Sequence, residues 1–306
     1  LFVLAGYIIT ASGMGERMFD LATKWLSWLP NGLPIAAVVA CTIFAAISGS
    51  SVAAVATIGS IAVPLMIGKG YRPGLATGVV SSAGTLAILI PPSVVMIIYS
   101  SLTQTSAGAL FMGGLIPGLM LAGLISSFLL IIGIRDRRRG VVVAVELQQV
   151  SWDDRFHSIV QNAWVFPIPV IILGGIYTGV FTPTEAAAVL LLYVFLTGTL
   201  ILRTLTFENL YTNMLNGMST FGMIMLIYAG GMLMAELTAY TGVTEWLGEY
   251  LISLDVSPIT IIIMMMVLLL ILGCVMEIFS IFPRHCICLS LRFMADQVQD
   301  EQMSNK

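Results

Sequence analysis

No charged side chain occurs between Lys24 and Lys69, and none between Arg72 and Arg135. Charge-free stretches of this length belong in lipid or inside a packed membrane protein. The first has an awkward length. Pro34 to Ile67 is 34 residues, about 51 Å as one helix at roughly 1.5 Å per residue, against a hydrocarbon core of about 30 Å. That is too long for one span, and two spans need roughly 40 residues plus a turn. A re-entrant hairpin fits, with Ser48-Gly49-Ser50-Ser51 as its apex and each arm ending just past the bilayer midplane. Backbone that leaves a helix at that depth must be satisfied by protein or by a water-filled cavity. The apex is therefore a candidate site.

The second stretch is long enough for two spans, but the first of them carries Gly84-Thr85 and then Pro91-Pro92. Tandem prolines remove two N–H donors and clash with the preceding turn, so the helix must break there. A break leaves bare carbonyls at one half-helix end and bare N–H groups at the next start. Hairpin tips facing discontinuous helices are how secondary transporters build mid-membrane sites.

Three motifs carry a family resemblance: SGSSVAAVATIGSIAVPLMIGKGY from Ser48, GTLAILIPPSVVMIIY from Gly84 and GVFTPTEAAAV from Gly179. Over residues 1 to 280 the chain resembles the large membrane subunit of tripartite ATP-independent periplasmic (TRAP) transporters, the DctM-like permeases. The resemblance implies a sodium-coupled importer of organic acids, of the dicarboxylate or sugar-acid kind, in the bacterial inner membrane. It also implies two partners, a small membrane subunit and a periplasmic substrate-binding protein.

Composition narrows the class further. Apolar residues make up 58% of the chain and charged residues 9%, well under the charged share of soluble domains. The expected fold is an all-α polytopic membrane protein with re-entrant hairpins, a discontinuous helix and an inverted repeat whose second half is incomplete. The one dense basic run, Arg135 to Arg139, flanks a span and reads as a topology signal rather than a nucleic-acid surface. Cys41 and Cys274 sit alone in apolar segments, and His285, Cys286 and Cys288 lack a fourth ligand, so no transition-metal site is expected.

Taken in order, residues 1–33 read as a partial span plus an amphipathic, tryptophan-bearing interfacial helix over 15–29, with the N-terminus missing. Residues 34–107 hold the first hairpin and the broken helix. Residues 108–210 supply scaffold spans at about 108–134 and 162–179, separated by a cytoplasmic loop over 135–160. They end in a helix that Thr182-Pro183-Thr184-Glu185 starts as a capping box. Residues 211–257 give a span over 211–235 and an acidic outer segment with Glu236, Glu245, Glu249 and Asp255. Residues 258–281 form the first arm of a second hairpin and 282–306 a polar, aberrant tail. The hairpin arrangement puts Lys24, Lys69, Arg72 and Arg135 to Arg139 on one face, which the positive-inside rule makes cytoplasmic. Residues 225–277 repeat the opening order upside down. Pro34 and Ser48 lie 14 positions apart, and Pro258 and Gly273 lie 15 apart.

A sodium ion needs hard oxygen ligands, and the first half offers neutral ones. Ser48, Gly49, Ser50, Ser51, Gly84 and Thr85 are the expected cation ligands, by hydroxyl or carbonyl. The absence of acids and histidines there argues against a proton relay. Glu277, near the second apex where family members carry Asp, is the candidate for a second cation site. Substrate carboxylates are expected at the helix starts after Ser51 and after Pro91-Pro92, with Ser93 and Thr57 contributing.

No enzyme activity and no cofactor beyond the coupling ion are expected. An intramembrane serine hydrolase using Ser50 or Ser51 would need a base, and the two histidines, His157 and His285, fall in a cytoplasmic segment and in the tail. A passive channel, and a truncated or frameshifted fragment that transports nothing, remain as alternatives.

Overall fold

The computed structural model describes residues 1–138, 151–242, 246 and 258–273, and the regular structure among them is helical. Two compact units are present. The first comprises 1–100 and 105–218, the second 101–104 and 219–306. The protein is an all-α polytopic membrane protein. Among the described residues, Ser51–Gly68, Pro73–Ser101, Ala107–Arg138, Pro183–Ile201 and Phe207–Met234 are long and apolar enough to cross a bilayer.

The first unit begins with α1 (Phe2–Ala11) and α2 (Met14–Leu26). Helix α2 is amphipathic, as its sequence requires. Met14, Met18, Phe19, Leu21 and Ala22 are buried, while Glu16, Arg17 and Asp20 are exposed. Its apolar stripe is spent on protein. It packs along α3 (Gly32–Ser48), with Gly15 against Phe44 near one end and Gly32 against the Leu26 carbonyl at the other. The interfacial reading of residues 15–29 is refined accordingly, because the apolar face is covered by the hairpin rather than by lipid.

Helix α4 (Ser51–Gly68) follows α3 after two residues, Gly49 and Ser50. Gly15 lies against both the Phe44 ring and the Thr57 methyl. Those residues would stand about 20 Å apart along one straight helix, so the chain doubles back between them. The arms are 17 and 18 residues long, roughly 26 and 27 Å. Nearly all of α3 is buried, which explains why it reads as uniformly apolar rather than striped.

The broken helix has three pieces: α5 (Pro73–Gly84), α6 (Leu86–Leu89) and α7 (Val94–Thr103). Pro73 occupies the first helical position of α5, where its missing N–H costs nothing. Helices α4 and α5 run antiparallel, since Gly84 meets Val55 and Gly59 meets Val80.

Helix α8 (Ala107–Arg138) has two distinct faces. Gly114 and Gly118 let it close on Leu89 and Ile90 of the break, while Met112, Ile116, Met120, Leu124, Phe128 and Ile131 remain exposed. The bare face is apolar enough for lipid or for another membrane helix. Lipid is as apolar as those side chains, so what fixes α8 is close van der Waals approach at its small residues rather than water exclusion. Its far end meets the start of the hairpin, where Asn31 Nδ2 donates to the Leu129 carbonyl at 3.0 Å and Gly133 abuts Pro30 and Asn31.

Helix α9 (Trp152–Gln161) packs on α2. The span expected over 162–179 is shorter and irregular. Ala163–Tyr177 bends 49° from α9, and 3₁₀, α and π turns succeed one another around Pro167 and Pro169, because each proline removes a ladder donor. The capping box is present as expected. Glu185 N–H donates to Thr182 Oγ1 at 3.3 Å, and Thr182 N–H donates to Glu185 Oε2 at 2.8 Å. The helix it starts, Pro183–Leu196, continues as a π turn over Thr197–Ile201. It is followed by Phe207–Tyr240, which is longer at both ends than the expected 211–235. In the second unit, Pro258–Gly273 is helical; it lies within residues 258–281, expected to form the first arm of a second hairpin. Glu277, Cys274, His285, Cys286, Cys288 and the 282–306 tail lie outside the described residues, as do Glu245, Glu249 and Asp255.

Candidate functional site at the hairpin tip

The chain turns at Gly49 because nothing larger fits there. Its φ is +61°, a left-handed conformation, and a Cβ would collide with the Pro92 carbonyl oxygen. Gly49 closes α3 by donating its N–H to the Ala45 carbonyl at 3.0 Å. Ser50 then opens α4. Its backbone is extended and its Oγ accepts from Ala53 N–H at 3.3 Å, a regular N-cap. Ser48 Oγ accepts from Ser50 N–H at 3.4 Å and is fully buried.

The broken helix comes to this tip. Val94 N–H, at the start of α7, donates to the Gly49 carbonyl at 3.2 Å. Ser93 holds the N-cap position of α7, its carbonyl accepting from Ile97 N–H at 3.1 Å. Its hydroxyl does no capping. Ser93 Oγ is buried and has no hydrogen-bond partner. On the other side, Gly84 lies so close to α4 that a Cβ would strike Val55 and stand 3.5 Å from the Ser51 carbonyl oxygen.

Four helix ends therefore meet. Helices α3 and α5 arrive by their C-termini, at Gly49 and Gly84, with carbonyls at the end of the regular ladder. Helices α4 and α7 depart by their N-termini, with N–H groups in the same condition. The partial charges are about half an elementary charge of each sign. One small volume thus offers oxygens to a cation and N–H groups to an anion, without an ionised side chain.

Of the residues singled out from sequence, Ser48, Gly49, Ser50, Ser51, Gly84, Pro92 and Ser93 surround this junction, with Pro91 in the same break. Two others are turned elsewhere. Thr85 is exposed and its hydroxyl donates to the Ser82 carbonyl at 2.7 Å. Thr57 sits about 9 Å beyond Ser51 along α4, and its hydroxyl pairs with Thr10 Oγ1 at 2.9 Å. Helix α1 was not anticipated as a neighbour. A Cβ on Gly6 would stand 3.0 Å from Ser48 Cβ, and Thr10 spans the gap to Thr57. The polar residues inside that short apolar segment were the available signal.

A hairpin tip hydrogen-bonded to a proline-broken helix invites comparison with known transporters. The family model for the tripartite ATP-independent periplasmic transporter, DctM component, matches residues 1–283. The chain belongs to that family. It is 38% identical over 276 residues to the C4-dicarboxylate TRAP transporter large permease protein DctM of Pseudomonas aeruginosa, covering 90% of this chain and 63% of that one. The DctM protein of Rhodobacter capsulatus is 35% identical over 294 residues, covering 92% and 66%. The 2,3-diketo-L-gulonate TRAP transporter large permease protein YiaN of Escherichia coli is 34% identical over 277 residues, covering 90% and 64%. The chain spans just under two thirds of the length of each of these relatives. DctM proteins are transporter components, not enzymes.

Proposed function

We propose that this DctM family member is the large permease of a sodium-coupled secondary transporter that imports organic acids across the bacterial inner membrane. In this reading it works with a small membrane subunit and a periplasmic binding protein. The observation that carries the proposal is the Val94 N–H to Gly49 carbonyl contact, which brings two helix ends and two helix starts together in a charge-free region. Sodium is coordinated by neutral oxygens of the Ser48 to Ser51 turn and by carbonyls near Gly84. A substrate carboxylate is held by the N–H groups that open α4 and α7, with the unpaired Ser93 hydroxyl as donor. Two of the relatives are named for organic anions, C4-dicarboxylate and 2,3-diketo-L-gulonate, in keeping with this reading.

The hairpin enters from the cytoplasmic face in this proposal. Helix length alone does not decide that, because α4 is long and apolar enough to cross. Charge placement supports it: with the chain doubling back at Gly49, Lys24 and Lys69 fall on the same face as Arg135, and the positive-inside rule favours that face as cytoplasmic. Pro258–Gly273 is the first arm of an inverted second hairpin, and Glu277 belongs to its cation site. Transport proceeds by movement of residues 34–107 against a scaffold built on 108–210.

Sodium binding is testable on the purified chain. Sodium chloride should raise the thermal midpoint by a few degrees relative to choline chloride at equal ionic strength, since tenfold excess over Kd adds about 1.4 kcal/mol. Ser50→Ala and Ser51→Ala should each shrink that rise and weaken the sodium dependence of uptake in the full transporter. An undiminished sodium response in both variants would remove these residues from the site.

A further inference from the structure

Among the described residues, five buried side-chain polar atoms away from the hairpin tip lack a hydrogen-bond partner: Trp25 Nε1, Arg155 Nε, Ser158 Oγ, Asn162 Oδ1 and Trp164 Nε1. They come from α2, from α9 and from the 3₁₀ turn after α9, and α9 packs on both of the others. Arg155, Ser158 and Asn162 follow an i, i+3, i+7 spacing and so share one helix face. They are 9%, 1% and 4% exposed. Four of the five atoms fall within residues 155–164, and buried polar groups of this kind call for a partner.

The pattern of the orphans identifies that occupant. Arg155 Nε, the two indole nitrogens and the Ser158 hydroxyl all donate, against one obligate acceptor, Asn162 Oδ1. Water would satisfy the serine and the amide, but it would not neutralise a guanidinium whose Nε is buried and unpaired. The Trp152 ring, 4.9 Å from Arg155 Cζ, supplies a cation–π contact but no charge. The ion pair seen among the described residues joins Lys24 to Asp20 at 2.7 Å. Glu16, Asp153 and Asp154 are exposed. The site therefore calls for an anion bearing several oxygens. The outer face of α9 indicates its source, because Trp152, Phe156 and Val160 form an exposed apolar stripe at i, i+4, i+8, suited to the headgroup level of a bilayer.

We infer that Arg155, Ser158 and the indoles of Trp25 and Trp164 form a binding site for a phosphate oxyanion, supplied by the headgroup of a membrane phospholipid. The guanidinium takes the phosphate oxygens, Ser158 and the indoles complete the donor set, and the acyl chains lie along the α9 stripe. The site anchors α9, and through it α2 and the back of the hairpin, to the membrane surface.

Native mass spectrometry of the delipidated, purified chain tests this, with phosphatidylglycerol and inorganic phosphate titrated separately. Wild type should retain one phosphatidylglycerol, with apparent affinity reduced about tenfold or more in Arg155→Gln. Ser158→Ala, a milder change that leaves the fold intact, should lower it by a smaller factor. Inorganic phosphate should neither bind measurably nor displace the lipid. Equal lipid retention in wild type and both variants would overturn the inference, and saturable binding of phosphate that expels the lipid would overturn the headgroup as its source.

Discussion

Replacing Gly49 by valine is expected to destabilise the purified protein by roughly 2–5 kcal/mol and to abolish transport. Two costs combine. A β-branched residue at φ +61° carries a left-handed penalty of about 1–2 kcal/mol, and its Cβ meets the Pro92 carbonyl, an overpacking term of about 1–3 kcal/mol. Gly13 separates the two. Its φ is +68°, with open space where a Cβ would go, so Gly13→Val should show the conformational penalty alone. Thermal unfolding in detergent reads both. Equal losses at the two positions would mean that the tip does not press on the break.

Converting Pro91 and Pro92 together to alanine should split stability from function. With both N–H groups restored, nothing stops α6 from running into α7, and removing helix-interrupting prolines favours the continuous helix by up to about 3 kcal/mol each. The thermal midpoint should hold or rise. Function should fall, because Val94 N–H would then bond within its own helix and leave the Gly49 carbonyl. The N–H groups assigned to the substrate would be lost with it. Hydrogen bonds to a charged group are worth roughly 1.5–3 kcal/mol each, so losing two lowers substrate affinity by roughly 100-fold or more. Transport near the wild-type level in a stable double variant would show that the interruption is only a packing kink.

The tip and the break were legible in the sequence because both are failures of a simple rule. The 34-residue segment from Pro34 to Ile67, free of charge, does not fit one crossing, and tandem proline does not fit a helix. The capping box at Thr182 was legible for the same local reason. Orientation within a helix was less so. Gly84 and Thr85 are adjacent, but one residue turns about 100° around the axis, so Gly84 faces α4 while Thr85 points outward and donates back to Ser82.

Long-range neighbours were not legible at all. Nothing in one sequence says that α1 lies against the hairpin, with Gly6 at Ser48 and Thr10 at Thr57. Nor does it say that α2 spends its apolar stripe on α3. The amphipathic pattern fixes that a face is covered, not what covers it. Arg155 falls in the stretch that the sequence marks only as a cytoplasmic loop over 135–160. Only the packing of α9 on α2 reveals that it is buried.

The account as a whole rests on the chain dipping into the membrane at Gly49 and returning to the face it left. Single cysteines at Lys24, Lys69 and Gln104, probed with a membrane-impermeant thiol reagent in right-side-out and inverted vesicles, test this directly on a background lacking the native cysteines. Cysteines at positions 24 and 69 are expected to react together, from the cytoplasmic side, and the cysteine at 104 from the opposite side. Reaction of position 69 from the same side as 104, and not with 24, would contradict the hairpin, the orientation and the site built on them.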